Sequence, residues 1–168
     1  MNTPATAIAI IALFAPFHDN TALCIKNCKL TNSDLVFTRN WEGFSPIVYD
    51  TDGAGNKTVG FGHLIKPGES FTYLTPDQAQ DLLDSDMQPV VATINANAAR
   101  PLREGEFGSI ADLMFNAGIH GKESFMGRVN KKVDPQFTLF NKAKVNGKEI
   151  ELKGLTRRRQ AEAALYNL

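Results

Sequence analysis

Residues that hold metals are scarce in this chain. Its 168 residues include two cysteines and three histidines, and these do not cluster. No His-x-x-x-His or Cys/His group is present, so the chemistry is expected to run without a metal or any other cofactor. A Gly-rich phosphate loop, a nucleophile elbow and a nucleic-acid-binding motif are all missing, which removes the usual routes to nucleotide chemistry, serine acyl transfer and nucleic-acid partners. There is no internal repeat and no low-complexity tract. The longest apolar stretch, Ala5–Phe17, has 13 residues, short of the ~20 that a spanning helix needs. It has the length of a signal-peptide core, yet no Lys or Arg precedes it. Two readings of it stay open: export or membrane association, and an arm packed on the domain.

What is present is a globular composition, 43% hydrophobic with zero net charge, enough chain for one domain or two small lobes. Charge is unevenly spread: residues 1–99 carry 5 Lys/Arg against 10 Asp/Glu, and residues 100–168 carry 13 against 8. The basic half could face an anionic polymer, peptidoglycan and nucleic acid both fitting, and it reads equally as ordinary solvated surface. Cys24 and Cys28 are four apart. On a helix they would share a face with a strained i,i+4 disulfide; two free thiols are the simpler reading and a regulatory bond the alternative.

The informative stretch is WEGFSPIVYDTDGAGNKTVGFGHL, residues 41–64. Ser33–Trp41 reads as a helix capped by Asn32 or Ser33, with Leu35, Thr38 and Trp41 on one face. Gly43 stops it just after Glu42. A carboxylate there meets the negative end of the helix dipole and apolar neighbours, Trp41 and Phe44, which suits a general acid held protonated. Ile47–Tyr49 reads as a strand, Asp50–Asn56 as a turn using Gly53 and Gly55, and Lys57–Phe61 as the returning strand. Asp52, in the polar turn, should stay ionised, and Thr58 can hold a water. Two carboxylates in unlike surroundings let one donate a proton while the other is charged at the same pH.

Further on, Thr75, Pro76 and Gln78 form a capping box that opens a long helix carrying Ala79, Leu82, Leu83, Met87, Val90, Val91 and Ile94. Pro89 should kink or restart it. Glu104–Ala117 is the next helix, with Phe107, Ile110, Leu113 and Met114 as core and Gly118 as its cap. Asp134–Pro135 opens another, through about Lys144. Asn146–Gly147 marks a hairpin turn. The last helix follows Gly154–Leu155, and its Arg157, Arg158 and Arg159 read as a solvated basic face.

The run E-G-F-x-x-x-x-Y then D-x-x-G-x-x-T-V-G-x-G-H over residues 42–63 resembles the phage-type lysozymes of glycoside hydrolase family 24, with weaker echoes in Phe115–Gly118 and Gly154–Glu162. The resemblance implies an α+β, lysozyme-like fold: a small N-terminal lobe with a β-hairpin, a long connecting helix and a mainly helical C-terminal lobe. It covers residues 31–168 and leaves 1–30 as an N-terminal extension. By resemblance Glu42 is the acid, Asp52 the second carboxylate and Thr58 the water-positioning hydroxyl. His63, Leu64, Phe115, Asn116 and Arg158 bind or support the substrate, and Arg158 pairs with Glu42 across the cleft. Glu42 and Asp52 stand one residue further apart than the family pattern. Counting forward from Tyr49 lands on Thr51, but counting back from Thr58 and Gly55 lands on Asp52, with Asp50 the fallback.

The activity so implied is muramidase hydrolysis of the β-1,4 bond between N-acetylmuramic acid and N-acetylglucosamine of peptidoglycan, lysing the host. A lytic transglycosylase and a non-catalytic peptidoglycan-binding module are the rivals. The expected site of action is the host periplasm after synthesis in the cytoplasm, as a monomer. Residues 5–17 are the candidate signal-anchor giving transient membrane association.

Overall fold

The computed structural model describes residues 23–50, 57–118, 122–145 and 147–168. Five helices and three small antiparallel sheets form among them, the α+β order expected. They fall into two compact units: the chain up to Leu35 with Val90–Leu168, and Val36–Pro89. The apolar stretch at 5–17 lies outside the described residues. Among the described helices none is long and apolar enough to cross a membrane.

Helix α1 is Asn32–Glu42. Its cap is Thr31, one residue ahead of the expected Asn32 or Ser33. The Asp34 N–H donates to Thr31 Oγ1, and the Thr31 N–H donates back to Asp34 Oδ2 at 2.8 Å, a reciprocal capping box with an aspartate at its third position. At the other end the Gly43 N–H donates to the Arg39 carbonyl at 2.9 Å, with Gly43 at φ 72°.

In the Val36–Pro89 unit, strand β2 (Ser45–Asp50) pairs with β3 (Lys57–Gly60), and β3 with β4 (His63–Leu64), so the hairpin gains a third strand. The register sets Tyr49 opposite Thr58 and Thr58 opposite Leu64, with Val59 opposite His63. Helix α2, Pro76–Asn97, opens with the expected box: the Thr75 N–H donates to Gln78 Oε1 at 2.9 Å and the Gln78 N–H returns to Thr75 Oγ1. It runs as one element through Pro89, so no restart occurs there. Phe37, Val59, Leu74, Ala79, Leu83 and Met87 are buried in this unit. Gly60 lets β3 approach α2 closely: a Cβ there would lie 3.0 Å from the Ala79 Cβ.

In the other unit, β1 (Leu23–Cys24) pairs with β5 (Leu102–Arg103), and helix α3 spans Glu104–Ala117, as its periodicity predicts. Gly105 to Met114 are all buried, so α3 is the helix around which this unit packs. A Cβ on Gly108 would sit 1.9 Å from Asp34 Oδ1, which shows how closely the start of α1 is seated on α3. Helix α4 (Lys122–Asn130) was not foreseen; Phe125, Met126 and Val129 bury its apolar side.

The helix expected from Asp134 to Lys144 does not form. Asp134 Oδ1 instead accepts the Gln136 N–H at 2.8 Å, and Gln136 is left-handed. The Asp-Pro pair therefore makes a turn, since an aspartate that bonds its own backbone two residues on competes with capping. A short 3-10 helix (Phe137–Phe140) follows, then β6 (Lys142–Val145) paired with β7 (Lys148–Glu151), the hairpin that Asn146–Gly147 announces. Helix α5, Lys153–Tyr166, ends the fold.

Cys24 and Cys28 form a disulfide, which corrects the reading of two free thiols. The intervening chain is a turn and not a helix: Lys26 and Asn27 are both left-handed, bringing the Cα atoms to 5.6 Å, inside the usual range for a bridge. The Cys28 backbone is also held at both polar groups by the Asn95 amide, at 2.9 and 3.0 Å.

Candidate active site

Glu42 is the last residue of α1 and is half-buried. Its carboxyl rests on the backbone at Gly62: a Cβ built there would lie 3.0 Å from Glu42 Oε2 and 3.4 Å from Cδ. Gly62 is left-handed as well, at φ 83°. Both facts require glycine, one for space and one for conformation. The Gly-x-Gly-His run thus does something definite. Gly60 admits α2, and Gly62 leaves a seat for the acid.

Residues opposite one another in a sheet share a face. Tyr49, Thr58 and Leu64 therefore line one face of the three-stranded sheet, where Leu64 is 54% exposed and the other two half-buried. His63 belongs to the opposite face, with Val59, and is buried. Its Nδ1 lies 2.6 Å from Asp86 Oδ2 and its Nε2 2.9 Å from Glu69 Oε2, with Phe71 edge-on to the ring. Lys66 Nζ adds a 3.2 Å contact to Asp86. The Lys66 backbone N–H, and then the His63 ring, hold the Glu69 carboxyl below its ordinary range. With both ring nitrogens taken, His63 has none left for a substrate. It ties β4 to α2 and to the 66–69 turn, and so fixes the backbone next to Glu42's seat. Asp52 lies outside the described residues, as does the rest of the 51–56 turn.

The remaining expected positions belong to the other unit. Phe115 and Asn116 are half-buried in the last turn of α3. Asn116 Oδ1 accepts a bond from Arg159 Nη2 at 3.1 Å. The solvated arginine face does not exist as such. Arg157 is exposed, but Arg158 and Arg159 are buried. Arg158 grips Asp112 bidentately, Nε to Oδ2 at 2.8 Å and Nη2 to Oδ1 at 2.9 Å. Arg159 pairs with the fully buried Glu162. Burial, and then the Asp112 charge, push Glu162 well above the usual glutamate range, and burial lowers Arg159. The missed signal was spacing: Arg158, Ala161, Glu162 and Leu165 fall on one helical face, and two of the four are apolar. A second network joins Arg100, Arg103, Glu106 and Tyr166. There burial alone would raise Glu106, but hydrogen bonds from the Arg100 guanidinium and the Arg103 N–H outweigh it and bring the carboxyl down to about 2. Four of the thirteen basic residues of 100–168 are thus spent on internal partners, while Lys131, Lys132, Lys142, Lys148, Lys153 and Arg157 are exposed.

Residues 39–162 match the family model described as phage lysozyme. An endolysin of Acyrthosiphon pisum secondary endosymbiont phage 1 is 32% identical over 145 residues, 82% of this chain and 97% of that protein. The endolysin of Salmonella phage P22 is 30% identical over 151 residues, again 82% and 97%. The solved endolysin from Escherichia coli O157:H7 phage FAHEc1 superposes with a TM-score of 0.77 at 27% identity, over 85% of this chain and 96% of that one. A small sheet and helix-end glutamate in one unit, with a buried central helix in the other, define a lysozyme-type glycoside hydrolase. The chain belongs to the phage lysozyme family and is a peptidoglycan-hydrolysing muramidase endolysin.

Proposed function

We propose that Glu42 is the general acid of this muramidase. It protonates the leaving oxygen of the β-1,4 bond between N-acetylmuramic acid and N-acetylglucosamine. Asp52, ionised, stabilises the positive charge that develops on the sugar and, with Thr58, positions the attacking water. The observation that carries this reading is the Glu42 carboxyl seated against Gly62, because a proton donor must be held in one place to contribute the ~10²–10⁴-fold typical of general acid catalysis. An inverting reaction, as the family resemblance implies, needs the two carboxyls roughly 6.5–9.5 Å apart so that a water fits between them.

Thr58 and Leu64 share the half-open sheet face that would meet the glycan. His63 acts through the backbone it fixes. Phe115, at the end of α3, packs on a sugar ring, and the Asn116 amide nitrogen, which has no partner among the described residues, bonds an acetamido group. Arg158, oriented by Asp112, completes the binding set. In this reading residues 31–168 are the catalytic domain and 1–30 an extension. The enzyme works as a monomer on periplasmic peptidoglycan, with residues 5–17 serving export as a signal-anchor.

Lysis of chloroform-treated Gram-negative cells, followed by turbidity, tests the assignment. Glu42→Gln and Asp52→Asn are both expected to abolish clearing. A fully active Asp52→Asn variant would point to a transglycosylase, and a wild type that binds walls without clearing them would point to a binding module.

A further inference from the structure

Beside Glu42 along the chain, the Val36–Pro89 unit carries an open pocket of about 390 Å³ whose lining the reaction above does not use. Helix α1 supplies Val36, Arg39 and Asn40, Gly43 ends the helix, and Phe44 and Phe61 close the pocket. The two phenylalanine rings meet at 5.4 Å with a 46° tilt, and Phe44 is 40% exposed. The Arg39 guanidinium lies over the Phe61 ring, 5.9 Å from its centre. Among the described residues no carboxylate pairs with it, and no group bonds the exposed Asn40 amide.

Arg100, Arg103, Arg158 and Arg159 each have a carboxylate partner, whereas Arg39 has an aromatic ring. An arginine laid on an aromatic face keeps its planar fork of N–H donors turned outward and is more weakly hydrated than an ammonium. Such a fork matches a carboxylate bidentately. A neighbouring primary amide can both give to and accept from a peptide group, and a half-exposed phenylalanine offers area to aliphatic side chains.

We propose that this pocket binds the peptide stem of peptidoglycan. Arg39 grips a free carboxylate of the stem, Asn40 bonds its peptide groups and Phe44 packs on its side chains, so the enzyme holds the wall by its peptides as well as by its glycan. The stem is chosen over the sugar because it carries most of the polymer's carboxylates, whereas N-acetylglucosamine is uncharged. The inference rests on the muramidase reading for the identity of the polymer, and not on the roles of Glu42 and Asp52.

The test has two arms, both on the full chain. In the first, the free tetrapeptide stem is titrated into ¹⁵N-labelled protein. Amide shifts are expected at Gly43, Phe44 and Phe61, and they are lost in Arg39→Gln. They are lost too in Asn40→Asp, which sets a carboxylate beside Arg39 at an exposed position that the fold tolerates. In the second, KM is compared on intact walls and on glycan strands stripped of peptide by an amidase. Wild type is expected to favour intact walls by roughly fivefold, the scale of one exposed charged contact, and Arg39→Gln to show no preference. A tetrapeptide that moves none of those amides, or a preference that survives Arg39→Gln, overturns the proposal. Tetrapeptide shifts in a protein that cleaves neither polymer would sink the muramidase reading and leave the pocket assignment standing.

Discussion

Replacing Gly62 with alanine separates two things this glycine does. Its φ of 83° is left-handed, a conformation that costs an ordinary residue about 1–2 kcal/mol. Stiffening the unfolded chain returns about 0.4–1 kcal/mol of that. The net loss is about 1 kcal/mol, or about 2–4 °C in Tm for a chain of this size. The new methyl would also stand 3.0 Å from Glu42 Oε2, so the carboxyl must retreat by a few tenths of an ångström. Because catalysis is steep in distance, with a misplacement of about 1 Å worth about 10²-fold, kcat should fall about tenfold. Gly68→Ala is the control. Gly68 is equally left-handed at φ 91°, but nothing lies within 4 Å of its Cβ position. Both variants should lose similar Tm in a thermal melt, and only Gly62→Ala should lose kcat on purified peptidoglycan. If Gly62→Ala keeps full kcat while its Tm falls like that of Gly68→Ala, the seating of the acid on this glycine is irrelevant to catalysis.

Gly108→Ala should destabilise by about 3 kcal/mol in urea unfolding, from overpacking and a displaced Asp34 cap; helix propensity alone would favour alanine by about 1 kcal/mol, so a stabilised variant refutes the packing. Asp86→Ala should cost about 1–3 kcal/mol by leaving Nδ1 of a buried imidazole without its hydrogen-bond partner, and a loss under about 1 kcal/mol would show that Glu69 alone suffices to hold His63. Glu106 has a depressed folded-state pKa, so its contribution is complete above the ordinary 4.5 and is lost as pH falls through about 2. That contribution is at most about 3 kcal/mol, and nearer 2 after solvent screening. Denaturation midpoints of wild type and Glu106→Gln should therefore converge between pH 4.5 and 2, and a constant gap would contradict the Arg100–Glu106 assignment.

The sequence was most legible where local chemistry is decisive. Thr75 and Gln78 announce the start of α2, Gly43 the end of α1, and the apolar spacing of Phe107, Ile110 and Met114 gives α3 its bounds. It misled where a side chain had two local options. Asp134 bonds its own turn instead of capping a helix, and Lys26–Asn27 enter left-handed backbone that no residue type demands. It was silent where the answer is tertiary. Arg158 and Arg159 look like surface charges until Asp112 and Glu162 are brought to them, and His63, legible as a residue that supports the site, does not reveal that it does so through Asp86 and Glu69 on the face opposite Thr58. The site's glycines were visible as a motif; only the geometry showed that Gly62 is the seat of Glu42.

The most direct measurement is mass spectrometry of the fragments released from purified peptidoglycan in H₂¹⁸O. Wild type is expected to give reducing N-acetylmuramic acid ends carrying one ¹⁸O, and Glu42→Gln to give no fragments above the no-enzyme blank. Anhydro ends without ¹⁸O from wild type, or labelled reducing ends from Glu42→Gln at the wild-type rate, would contradict a hydrolysis driven by proton donation from Glu42.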